Sequence, residues 1–126
     1  MMLLLAAVLQ AGTLLPAESC ASLAASDPVA AERRATIDRS ASGRACLGLA
    51  LSGQDRFVEA APAFEEAARV AEVARTGDAA RYWAQAGNAW LAGQNPEKAR
   101  AALNAALAAG TPVSYTHLTL PTIYSV

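Results

Sequence analysis

Histidine, lysine and sulfur are scarce in this 126-residue chain, which holds one His, two Cys, two Met and a single lysine, Lys98. The lone histidine, His117, falls in the C-terminal segment that composition sets apart; with it discounted no imidazole remains for a His-based triad or a His-rich metal site. Cys20 and Cys46 form no C-x-x-C spacing, which removes a zinc knuckle and a dithiol redox motif. No glycine-rich phosphate loop follows an expected strand; Gly87-Asn88 falls mid-helix, where a small residue serves close packing. Adjacent acids such as Glu65-Glu66 read as a solvated helix face rather than an acid/base pair. A net charge of −1 with no basic stripe gives no reason to expect nucleic acid. The expectation is a protein that is not an enzyme and uses no cofactor or metal.

Long hydrophobic runs are also missing. Residues 1–17 carry no charged side chain, but Gln10, Gly12 and Thr13 interrupt the apolar stretch, which is short of the roughly 20 residues a membrane span needs. Its Pro16-Ala17 end suits a cleaved export signal, although no basic residue precedes it; a buried core helix is the alternative. Export implies a periplasmic or secreted bacterial protein with no membrane span in the mature chain. Lipidation of Cys20 is disfavoured, because Glu18 stands where a small apolar residue belongs. In an oxidising compartment Cys20 and Cys46 are candidates for one disulfide, against two unrelated buried thiols.

Residues 113–126 contain no alanine and no Asp, Glu, Lys or Arg, in contrast to the alanine-rich chain before them. The segment resembles a translated transposase-based sequencing adapter. That resemblance implies a non-native tail and a natural chain that continues past Pro112; a native β-strand or loose end is the alternative.

Between these ends the punctuation is helical. Asp27-Pro28 supplies a cap and a first-turn proline for a helix reaching about Arg39, with Ile37 inward and Glu32, Arg33 and Arg34 outward. Ser40 to Gly43 reads as a break before a helix over 44–52. Gly53-Gln54-Asp55 turns the chain, with Asp55 as cap for a helix from Arg56 to about Arg75 that puts Phe57, Phe64 and Val70 near one face. Pro62 lies inside it, and a kink is expected near Val58–Ala61. Gly77-Asp78 ends that helix and caps the next, 79–92. Gly93-Gln94 turns, Asn95-Pro96-Glu97 opens the last helix, and Gly110-Thr111-Pro112 closes it, with Leu103 and Leu107 as its inner stripe.

One spacing occurs twice: Leu47-Gly48-x-x-Leu51 with Ala60-x3-Phe64, and Trp83-x-x-Ala86-Gly87-x-x-Trp90 with Ala99-x3-Leu103. A small residue flanked by bulky ones lets two helices approach closely. Trp83 and Trp90, seven apart, read as packing between units rather than as a stacking platform for ligand.

Residues 44–112 thereby resemble two tetratricopeptide repeats, whose signature is W-x2-L-G-x2-Y followed by A-x3-F. Arg44 and Leu51 stand in place of the aromatics in the first unit, and Ala86 and Leu103 depart in the second. The glycines are 39 positions apart rather than about 34. The resemblance implies an all-α, truncated solenoid of antiparallel helix pairs: an N-terminal helical segment 18–43, repeat one at 44–77 and repeat two at 78–112. It implies a groove lined by Ser42, Ala45, Leu49 and Ser52, then Arg81, Ala84, Asn88 and Ala92, with Arg81 and Asn88 its polar contacts. The function implied is a scaffold binding a protein or peptide; the alternative is an envelope spacer with no discrete ligand. With fewer than three repeats, self-association through uncovered faces is expected.

Overall fold

The computed structural model describes residues 19–110, which form six α-helices: α1 (Cys20–Ser26), α2 (Pro28–Thr36), α3 (Ala41–Ser52), α4 (Phe57–Ala74), α5 (Ala79–Ala92) and α6 (Pro96–Gly110). The expected export signal and the expected tail lie outside the described residues. The protein is all-α there, and none of its described helices is long and apolar enough to cross a membrane. Each helix packs chiefly on the next in sequence, with α1 also resting on α3.

The core is built of alanine. Ala60, Ala61, Ala67, Ala68 and Ala86 are fully enclosed, while no large side chain is. Small residues bring helix axes close but remove little apolar surface each, so bulky fillers carry disproportionate weight. Two of them occupy glycine notches. A Cβ on Gly48 would stand 2.7 Å from the Phe64 ring, and one on Gly87 would stand 2.7 Å from Leu103. The same 39-residue offset relates Gly48 to Gly87, Phe64 to Leu103, and the left-handed turn residues Asp55 (φ 59°) and Gln94 (φ 64°). Hairpins α3–α4 and α5–α6 therefore share the spacing of these three positions.

Between the units, α4 and α5 are clasped by two indoles. Trp90 Nε1 donates to Glu65 at 2.9 Å and Trp83 Nε1 donates to Glu72 at 3.0 Å. Partners seven apart on each helix, met in reverse order, give an antiparallel register. Lys98 lies 4.6 Å above the Trp90 ring and Arg69 5.4 Å from that of Trp83, within cation–π range.

Several local expectations are corrected. Ile37 is 86% exposed rather than inward, because α2 stops at Thr36 and Ile37 already belongs to the turn. Ser40 to Gly43 is no break: the Ser40 hydroxyl accepts from Gly43 N–H and starts α3 at Ala41. Asp55 does not cap α4; it takes a left-handed conformation, and Arg56 occupies the cap position without a side-chain bond. Asp78 occupies the cap position of α5 but makes no cap bond, since its carboxylate accepts from Arg81 instead. Pro62 lies inside α4, as its sequence position implied; it is exposed and has no N–H to offer the Val58 carbonyl.

The N-terminal helices are tied on by polar contacts. Arg44, only 5% exposed, donates to the carbonyls of Ala35, Thr36 and Asp38, closing the C-terminal end of α2. Glu32 of α2 accepts from Arg56 and from Gln54 in the α3–α4 turn. Cys20 and Cys46 form a disulfide, Cα–Cα 5.5 Å, that fastens α1 to α3.

Two carboxylates on this framework are more acidic than usual. The Ser40 hydroxyl and amide, donating to Asp38, hold its carboxyl below the ordinary value of 3.8. The paired hydrogen bonds from Arg56 hold Glu59 below 4.5. A depressed folded-state value stabilises above the unfolded value and is lost as pH falls through the folded one. Thermal midpoints should thus stay level from neutral pH to about 5 and fall below about 4. In Asp38→Asn/Glu59→Gln that fall should be shallower; an unchanged acid limb would refute the assignment.

Candidate functional site

A cleft of about 200 Å³ opens between α3, α4 and α5, lined by Ser52, Phe57, Phe64, Gln85, Asn88 and Ala89. Its origin is mechanical. α3 and α5 are the first helices of the two units, and both lean on α4, which contributes the two phenylalanines. Phe64 is held by the Gly48 notch, so the ring is fixed by packing before any ligand arrives. Ser52 and Asn88 sit near the C-terminal ends of α3 and α5, and Gln85 lies one turn before Asn88 on the same side.

The lining has no charged side chain. Anion or cation recognition has no partner there, whereas an uncharged group with hydrogen-bonding capacity does. Gln85 supplies the unusual element: its Oε1 is buried and accepts no hydrogen bond. An unpaired buried acceptor costs about 1–3 kcal/mol, so the glutamine is held at a price in stability. The volume lies below the roughly 300–1,000 Å³ of sites for free small molecules and suits one side chain of a longer ligand.

The four groove positions expected from sequence do not converge. Asn88 lines the cleft and is exposed. Leu49 is half-buried against the small cluster of Ala24, Ala31 and Ala50 beneath α1 and α2, with Leu23 beside it. Ala84 is half-buried outside the lining. Arg81 is exposed, pairs with Asp78 at 3.1 Å and lies 4.9 Å from the Tyr82 ring. The hydrogen bond to Asp78 raises the Arg81 pKa, so this charge is partnered by a carboxylate at the start of α5. Sequence reasoning missed Gln85, although its place three residues before Asn88 was a signal in plain view. It also missed Tyr82, buried at 5%. Among the described residues no cluster of three or more His, Cys, Asp or Glu could hold a metal ion.

Comparison with known proteins adds no relative: no family model, no curated protein and no solved structure matches the chain.

Proposed function

We propose that the chain is an exported helical-repeat scaffold of tetratricopeptide type, binding an extended, uncharged peptide segment of a partner protein across α3 and α5. The observation that carries this reading is the uncharged cleft at that place, floored by Phe57 and Phe64 and holding the unpaired Gln85 oxygen. An apolar side chain of the partner fills the cleft. Its main chain exchanges hydrogen bonds with Asn88 and Ser52, and a rotation of the Gln85 amide brings that acceptor to a backbone N–H. The 39-residue duplication and the two glycine notches support the repeat reading.

The test is selection from a displayed random-peptide library on the immobilised protein. Enriched peptides should share an uncharged stretch with one central apolar residue. Asn88→Arg, at an exposed position, should abolish their binding without altering the melt. Gln85→Met should raise stability by about 1 kcal/mol, by removing the orphan acceptor, and weaken the same peptides about tenfold. Absence of enrichment, or binding indifferent to both substitutions, would instead favour a spacer without a ligand.

A further inference from the structure

We infer that the Cys20–Cys46 disulfide is a latch that keeps α1 over one face of α3, and that a dithiol reductant releases α1 alone. α1 has seven residues, whereas helices shorter than about 12–15 residues are marginal in water without outside support. Its packing is thin. Ala24 is its one buried residue, and Leu23 lies partly buried against Ala31, Ala50 and Leu49. The Ala24 carbonyl comes close to Gly53, at the far end of the same α3 face. The bond from Cys20 is therefore the strongest tie α1 has to the rest of the fold.

α2 does not depend on that bond. Arg44 binds its terminal carbonyls, and Glu32 binds Arg56 and Gln54. Opening the disulfide consequently frees α1 and leaves α2 to α6 in place. The surface uncovered centres on Cys46 and Leu49, since Ala50 and Gly53 keep Ala31 and Pro28 of α2 beside them. Leu49 lies one turn from Ser52, so this apolar strip adjoins the cleft. In the oxidised protein α1 is the occupant of that strip. In the reduced protein the strip lengthens the surface available to a peptide, a consequence that rests on the peptide-binding reading above.

The sulfur chemistry is asymmetric. Cys20 is half-exposed and Cys46 is buried at 7%, so a reductant thiolate attacks Cys20 Sγ and Cys46 leaves as thiolate, taking a proton. The reductant's second thiol then attacks the reductant sulfur of the mixed disulfide, and Cys20 leaves as thiolate and is protonated. Two cysteine thiols form, and the dithiol becomes a cyclic disulfide.

Amide hydrogen exchange on the full chain, with and without dithiothreitol, tests the latch. Amides of residues 23–27, which close the hydrogen bonds of α1, should exchange at least about tenfold faster after reduction, while those of α2 to α6 keep their rates. Cys20→Ser/Cys46→Ala without reductant should reproduce that pattern. Undiminished protection of α1 in the reduced chain would overturn the inference, as would loss of protection across all helices together. The library-selected peptides should bind more tightly after reduction. If α1 is released and no peptide is ever selected, the latch stands and the peptide-binding reading falls.

Discussion

Arg44→Met should lower the unfolding free energy by about 2–4 kcal/mol in urea titration, with α2 losing its order first. Arg44 sits in the first turn of α3 with almost no exposed surface. Its guanidinium donates to Ala35 O at 2.6 Å, Thr36 O at 3.0 Å and Asp38 O at 2.9 Å. These are carbonyls at and beyond the last turn of α2; Ala35 O also accepts from the Asp38 amide at 3.0 Å, whereas Thr36 O and Asp38 O lie past the helical ladder. Ala35 is buried but its oxygen keeps the Asp38 amide, and Thr36 and Asp38 are exposed and recover part of their loss from water, so the cost comes from losing three charge-assisted bonds at once. The Glu66 carboxylate, 3.6 Å away and half-exposed, adds little. Methionine keeps the apolar bulk of the stem, so the measured loss isolates the hydrogen bonds from packing. Arg44→Lys should fall between, since one ammonium cannot serve three carbonyls set along a turn. A loss under about 0.5 kcal/mol for Arg44→Met would mean that water caps α2 as well as the guanidinium does.

Arg44 also marks where sequence reasoning stops. An arginine in an amphipathic stretch reads as a solvent-facing residue, and nothing local signals that the end of the preceding helix lies within its reach. α5 and the start of α6 were legible in full, because Gly-Asp, Gly-Gln and Asn-Pro punctuate the chain at their ends. The glycine notches were legible as well, since Phe64 and Leu103 each follow their glycine by the same interval. Caps at Asp55 and Asp78 misled, because a carboxylate near a helix start is equally suited to a turn or an ion pair. Alanine carries little directional information: Ala25 and Ala31 differ in burial entirely, and only the packing of α1 and α2 decides which one is inside. The repeat resemblance, rather than spacing within a helix, put Ser52 and Asn88 on a common surface. The cleft itself needed three helices to meet, and no periodicity within one helix contains that.

Phe64→Ala should cost about 3–5 kcal/mol, the larger of the two effects, because one ring performs two tasks. It fills the Gly48 notch between α3 and α4 and floors the cleft between α3 and α5. The cluster around it is mostly alanine, with Leu51, Tyr82 and Trp90 as its other bulky buried members, so the space left behind collapses only in part. The notch predicts a specific coupling. Gly48→Ala alone gains about 1 kcal/mol of helix propensity but forces the enclosed ring to move as a rigid body, so a net loss of about 1–2 kcal/mol is expected. At Gly87 the methyl would meet Cδ2 and Cγ of Leu103, both at 2.7 Å, but Leu103 is only half-buried and can shift as a whole, so Gly87→Ala should cost less than Gly48→Ala. Combined with Phe64→Ala, the Gly48 methyl enters a void instead of a ring. The double variant should therefore be more stable than Phe64→Ala alone, by up to about 1 kcal/mol. Additive losses in that cycle would show that glycine and ring do not share a contact, and the proposed repeat would lose its main physical support.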